Sequence, residues 1–357
     1  MAKKKILMVC EAFGGGVFTY VRQLCNDMCD NFDVYLAYSL RPQTPKNYKE
    51  QLDPRVHLIQ VKSWNGSSVL NIVNDRKVIK ELHQIADNIQ PDIIHLHSSI
   101  AGGIGRLAFK NNRNVIYTPH GYAHILLGPG KKSWMYGKIE KYLGSHTQAL
   151  TLTCTESEDE VAKTLTNRTA YLETGIDVEE LKRNLNSIQY SNKKGLIVYT
   201  VGRIAKQKRP DLFNKIAKLV PQVQFLWIGD GELRDKLTAP NIKVTGWKNR
   251  DEALRIADKA DIFILCSYGE AIAMSLIENM YIGKLCLVSN TMGNKSVIRS
   301  GRNGFTCDEA IDYADRIKDA TCQFPIDLAK QAHEDVINIY NNDIMKQKYI
   351  KFYNSFN

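Results

Sequence analysis

The feature that most constrains this chain is a repeated alternation. Short, continuous apolar runs are each followed by a longer stretch with helical spacing. In the first half the runs are Lys5–Cys10, Asp33–Tyr38, His57–Val61, Ile93–His97, Val115–Thr118 and Ala149–Thr153. Helical segments at Val17–Cys29, Val69–Ile89, Gly103–Asn111 and Trp134–His146 lie between them. The second half repeats the rhythm with Leu196–Val201, Val223–Ile228, Ile242–Thr245, Ile262–Leu265 and Leu285–Ser289. A short run without polar alternation suits a strand buried on both faces, and a helix after each strand supplies the crossover that parallel pairing requires. The expected class is therefore α/β, with parallel sheets covered by helices.

Length decides how many sheets. At 357 residues the chain can build two cores. The polar, aperiodic stretch Arg183–Lys194 marks the linker, so the sequence predicts domains 1–186 and 187–340, two Rossmann-like halves with a cleft between them. No apolar run approaches the roughly 18 residues of a membrane span. The lysines at the amino end precede only a five-residue apolar run before Glu11, which reads as a first buried strand rather than a signal peptide. Eight scattered cysteines without a CxxC pair read as reduced, buried thiols of a cytoplasmic protein. The net charge of +10 calls for an anionic partner. Its basic residues are dispersed and form no recognition module, so nucleic acid is not the expected one.

Three motifs carry chemistry. The first strand ends at Glu11-Ala-Phe-Gly-Gly-Gly-Val17, where consecutive glycines let backbone approach a ligand and aim helix N–H groups at an anion; a tight turn without a ligand is the plain alternative. Gly202-Arg203-Ile-Ala-Lys-Gln-Lys208 follows a second-half strand, at the end where open α/β sheets bind ligands. Arg203 and Lys208 could share one diphosphate, or could belong to a solvated basic loop. Glu270-Ala-Ile-Ala-Met-Ser-Leu-Ile-Glu278 places one carboxylate on a strand-to-helix turn and another inside the helix. Carboxylates repel phosphate but accept hydrogen bonds from hydroxyls, so the set suits a sugar nucleotide, a diphosphate between two polyols. His95 and His97 share a strand face without an acidic third ligand in nearby sequence, and no metal site is expected from them.

Taken together, Gly202-Arg203 with Lys208 and the spaced pair Glu270 and Glu278 resemble the retaining glycosyltransferases of family 4, which have the GT-B fold. Pro91-Asp-Ile-Ile-His-Leu-His97, Thr118-Pro-His-Gly121, Gly175-Ile-Asp177, Ile228-Gly-Asp-Gly-Glu232 and Val244-Thr-Gly-Trp247 are similar to family segments in the same order. Ala271-Ile-Ala273 departs from the family's Gly-Phe-Gly, and Thr174 from its Asn. The resemblance implies that Glu278 binds ribose hydroxyls and Glu270 the donor sugar. Arg203 and Lys208 would neutralise the diphosphate as the leaving group gains charge. Gly15 and Gly16, with the backbone near Ala273 and Met274, would cradle phosphate, and His120 would contact the sugar near its anomeric carbon. Trp247 would stack on the base or sit in a core. A donor phosphate oxygen, rather than a side-chain nucleophile, would take the acceptor's proton. A C-terminal segment, 341–357, with a helix at Asp343–Tyr353, would return to the first domain.

The resemblance further implies a UDP-sugar donor, with GDP-sugar as the other choice, and no cofactor, since the nucleotide sugar is itself a substrate. Transfer is expected without a divalent metal, because the sequence lacks an Asp-x-Asp pair and Arg203 and Lys208 supply the positive charge. The implied acceptor is a saccharide or polyprenyl-diphosphate-linked saccharide of a bacterial surface polysaccharide. Lys131, Lys132, Lys138 and Lys141, interleaved with Trp134, Tyr136 and Tyr142, suit the surface of an anionic membrane or an ordinary solvated helix face. A UDP-sugar epimerase of GT-B fold is the alternative activity, and an acceptor requirement separates the two.

Overall fold

The computed structural model describes residues 2–64, 72–128, 130–185, 195–270 and 274–356. The chain forms two compact units. One comprises Met1–His124, Pro129–Glu173 and Met345–Asn357, and the other Ile125–Gly128 and Thr174–Ile344. The division thus falls at Glu173, ahead of the position near residue 187 that the sequence predicts. Arg183 lies in a helix, Val178–Asn184, capped by the Asp177 carboxylate, which accepts from Glu180 N at 2.8 Å. Most of the expected linker, 186–194, lies outside the described residues. A short polar helix reads as linker from sequence because its few apolar positions give no periodic signal.

The first unit holds a seven-stranded sheet built from β1 (Lys5–Phe13), β2 (Asp33–Leu40), β3 (His57–Gln60), β4 (Ile93–His97), β5 (Val115–Thr118), β6 (Leu150–Thr153) and β7 (Thr169–Tyr171). Its strand order is β3-β2-β1-β4-β5-β6-β7, and every pair is parallel. The second unit holds β8 (Ile197–Val201), β9 (Gln224–Ile228), β10 (Ile242–Val244), β11 (Ile262–Leu265), β12 (Leu285–Ser289) and β13 (Phe305–Cys307). Here the order is β10-β9-β8-β11-β12-β13, again parallel throughout. Each order reverses direction once, between β1 and β4 and between β8 and β11. In open α/β sheets such a switch point leaves a crevice at the carboxyl ends of its two strands.

Burial explains why these strands form. All five residues of β4, all four of β11 and all five of β12 are buried, so apolar runs can be covered on both faces. The helix Ser99–Ala108 rests closely on the first sheet. A Cβ on Gly102 would come within 2.0 Å of the Tyr117 ring, and one on Gly105 within 2.5 Å of Leu96. The C-terminal helix Asn342–Asn354 contributes Met345, Tyr349 and Tyr353 to the first unit's core, beside Ile6, Met8 and Phe32.

The helix Lys131–His146 does expose Lys131, Lys132, Trp134, Lys138, Lys141 and Tyr142. Glu140, the one acid among these lysines in the sequence, is buried. Its carboxylate accepts from Arg106 at 2.7 Å and from the Tyr117 hydroxyl at 2.9 Å, with the guanidinium 4.0 Å from the Tyr117 ring centre. No helix among the described residues is long and apolar enough to cross a membrane.

Candidate functional site

In the second unit, the loops after β8 and β11 sit at the switch point. They are tied to each other: Tyr268 N donates to Gln207 O, and Gln207 Nε2 donates to Gly269 O, each at 3.0 Å. The lacing sets Lys208 beside Glu270, with Nζ 2.7 Å from Oε1. Ser267 Oγ donates to the same oxygen at 2.6 Å. Two donors on one carboxylate oxygen fix the orientation of Glu270 and leave Oε2 to accept from a ligand hydroxyl. Arg203 is half exposed, and its Nε lies 3.0 Å from Glu232 Oε2.

Glycine has a packing reason here as well as a ligand-binding one. Gly229 (φ 141°) passes so close to Gly202 that a Cβ would stand 2.2 Å from its carbonyl oxygen, and a Cβ on Gly231 would stand 2.4 Å from Ile204 O. Trp227 Nε1 donates to Gly202 O at 2.8 Å. The segment Ile228–Glu232 therefore shapes the β8 loop directly. Trp247 is 64 % exposed, so the core alternative falls and its indole face is open to a ring.

Glu278 lies on the helix Met274–Tyr281 and is held by Arg250, whose Nε and Nη2 are each 2.9 Å from Oε1. The third guanidinium nitrogen reaches Glu180 at 2.7 Å. Sequence reasoning misses Arg250 and Ser267 as members of this site. The partners of Arg250 are far along the chain, and no spacing signals them. Ala273, assigned to the phosphate cradle, lies outside the described residues; Met274 begins the helix.

In the first unit, Gly14 starts the helix Gly15–Met28 without a side-chain cap. Gly15 has φ 56°, and a Cβ on Gly15 or Gly16 would meet nothing within 4 Å. The first turn of this helix follows the carboxyl end of β1, one of the two strands at the first sheet's switch point. The preceding Glu11 is buried and paired with Arg41.

His120 follows β5 in a left-handed conformation, φ 53°, uncommon for a residue with a Cβ. Three neighbours hold it. Glu158 accepts from Gly121 N at 2.9 Å and from Cys154 N at 3.0 Å, so this carboxylate clamps the turn rather than only serving its own helix. Tyr20 meets the imidazole edge-on, with centroids 4.6 Å apart. His97 Nδ1 lies 3.0 Å from His120 Nε2. Burial pushes the His120 imidazole down to about 3 and holds His95 and His97 well below the ordinary histidine range, the neighbouring rings adding to the effect. His95 is bonded to Tyr353 OH (2.7 Å) and Thr118 Oγ1 (2.8 Å). No group of three or more potential metal ligands occurs among the described residues.

Comparison with known proteins follows these same two units. The family model of glycosyltransferase family 4 matches residues 14–180, and that of glycosyl transferases group 1 matches residues 182–323. A UDP-Gal:alpha-D-GlcNAc-diphosphoundecaprenol alpha-1,3-galactosyltransferase of Escherichia coli is 28% identical over 262 residues, which are 66% of this chain and 67% of the relative. Among solved structures, sucrose-phosphate synthase from Thermosynechococcus elongatus superposes with a TM-score of 0.82 at 15% identity, over 99% of this chain and 98% of that one. Anabaena HepE in complex with UDP-glucose gives 0.76 at 16% identity, over 98% and 99%. Those likenesses establish the fold. With the two matches succeeding one another from residue 14 to residue 323, the chain belongs to the glycosyltransferases of family 4 and has the GT-B fold.

Proposed function

We propose that this enzyme transfers a sugar from a UDP-sugar, with retention of anomeric configuration and without a divalent metal, to a lipid-linked saccharide of a bacterial surface polysaccharide. The observation that carries the reading is the pair of laced loops at the β8/β11 switch point, which sets Lys208 and Glu270 side by side with Arg203 on the same β8 loop. A diphosphate needs cations and a sugar needs hydroxyl acceptors, and this site offers both within one hydrogen-bonded unit. Glu278 serves the ribose and Trp247 the base, while His120, Gly15, Gly16, Ala273 and Met274 serve the sugar and phosphates. The E. coli relative's name supports a UDP-sugar donor and a diphosphoundecaprenol-linked acceptor, and the HepE complex supports UDP-glucose binding within this fold.

A retaining route that needs no side-chain nucleophile fits the contacts of Glu270. Its Oε1 already accepts from Lys208 and Ser267, which makes it a poor nucleophile and a good fixed acceptor. The exposed lysine and aromatic face of the helix Lys131–His146 serves the approach to a membrane-borne acceptor.

The test is incubation with UDP-sugars and a diphosphoprenyl-linked saccharide, in excess EDTA, with mass analysis of the products. Transfer to the acceptor is expected; conversion of the donor to its epimer without acceptor would establish the epimerase instead. Arg203→Ala should lose about 2–4 kcal/mol of transition-state stabilisation, the range for removing one group at a developing oxyanion. Full turnover by folded Arg203→Ala protein would refute the site.

A further inference from the structure

His97 is fully buried at the end of β4, so water does not decide the state of its ring. Its Nε2 lies 3.5 Å from Met8 Sδ, and its Nδ1 lies 3.0 Å from His120 Nε2. A thioether sulfur has lone pairs and no proton, so toward His97 it can only accept. A neutral imidazole carries one N–H, and burial, with His95 and His120 nearby, keeps His97 neutral. Its proton therefore belongs on Nε2, facing the sulfur, which leaves Nδ1 as a bare acceptor. The opposite tautomer would point a buried lone pair at the lone pairs of sulfur. His97 Nδ1 then needs a donor, and the atom that faces it is His120 Nε2.

We propose that His97 is a positioning residue that holds His120 as its Nε2–H tautomer, so that His120 offers Nδ1 to substrate as an acceptor for a sugar hydroxyl. The consequence for substrate rests on the donor-sugar role given to His120 above; the tautomer does not. Three elements hold the ring in place. They are β4 through His97, the helix Gly15–Met28 through Tyr20, and the helix Glu156–Leu165 through the Glu158 clamp on Gly121. An Nδ1 lone pair accepts from a hydroxyl and is repelled by a phosphate oxygen. It therefore selects the polyol part of a nucleotide sugar over its diphosphate.

Long-range proton–nitrogen NMR on protein labelled with 15N-histidine reads the tautomer without any substrate. Near neutral pH, His97 and His120 should each carry a single proton, on Nε2. His97→Leu should turn His120 into a mixture of tautomers. His97→Asn, whose amide oxygen stands where Nδ1 stood, should keep the Nε2–H form. A proton on Nδ1 of His120, or on both nitrogens, in the wild type would overturn the proposal, as would an unchanged His120 signal in His97→Leu. Should that variant fail to fold, the wild-type spectrum alone still decides. In transfer assays His97→Leu should lose roughly tenfold in kcat/KM, the worth of about one hydrogen bond, with recovery in His97→Asn. The expected spectra together with full activity in His97→Leu would refute the substrate role of His120 while leaving the tautomer in place.

Discussion

At the scale of single residues, the first unit depends on polar groups kept neutral in its interior. His95, His97 and His120 all have folded-state pKa values below 6.5, with burial the first cause. Tyr20, Tyr349 and Tyr353 around them are pushed up by burial and remain uncharged. The sign follows from linkage. Below 6.5 the unfolded chain binds protons at these sites while the folded chain does not, so stability falls as pH drops, for His120 down to about 3. Each histidine kept neutral in the folded state costs up to about 1.4 kcal/mol of stability per pH unit in this window. The urea midpoint should therefore drop between pH 7 and pH 5 in the wild type, and drop less in a variant with His95→Phe. Equal slopes would show that the histidines do not carry the acid sensitivity. The sequence places the three rings near two strand ends, but it holds no sign of the Glu158 clamp, because the bond from Gly121 joins the turn after β5 to the helix Glu156–Leu165 after the neighbouring β6, 37 residues further along the chain.

At the scale of elements, periodicity locates most strands and helices, and neighbouring packing sets their limits. Strands β7 and β13 escape it because each has only three residues and lies at a sheet edge, where a continuous apolar run is not required. The helix Ser99–Ala108 begins before the expected Gly103, since its early glycines lie against Tyr117 and Leu96. Gly102→Ala should destabilise by roughly 1–3 kcal/mol, the usual cost of overpacking a filled core. Calorimetry on the variant would check this, and an unchanged melting temperature would mean that the Tyr117 ring can yield. The helix Lys131–His146 makes a second prediction. With Glu140 turned inward to Arg106, its acid does not offset the exposed lysines, and each lysine near an anionic surface is worth about 1 kcal/mol. Sedimentation with anionic vesicles at low salt should be strong and should fade at high salt. Gln at Lys131, Lys132, Lys138 and Lys141 should abolish it, whereas equal sedimentation of both proteins would leave a plain solvated face.

For the whole molecule, none of the eight cysteines forms a disulfide, and Cys322 alone is exposed. A thiol reagent should therefore label one site in the native protein and eight after denaturation; rapid native labelling of Cys10 or Cys266 would contradict their burial in the two sheets. Two parallel sheets are legible from the sequence because a strand covered on both faces must be apolar throughout, and that requirement is local to each run, as at Ile262–Leu265. The glycine loop, Arg203, Lys208, Glu270 and Glu278 can likewise be found, since each lies in a segment that follows a strand end. What the sequence by itself leaves open is which charges meet. Lys208 with Glu270, Arg250 with Glu278 and Glu180, and Arg106 with Glu140 join residues separated by long stretches of chain. The division at Glu173 is of the same kind, set by where contacts close rather than by composition. Hydrophobic spacing reports how a segment meets solvent and core. The partner of a buried charge is decided only when strand order brings distant loops to one end of a sheet, and that information exists in the tertiary structure alone.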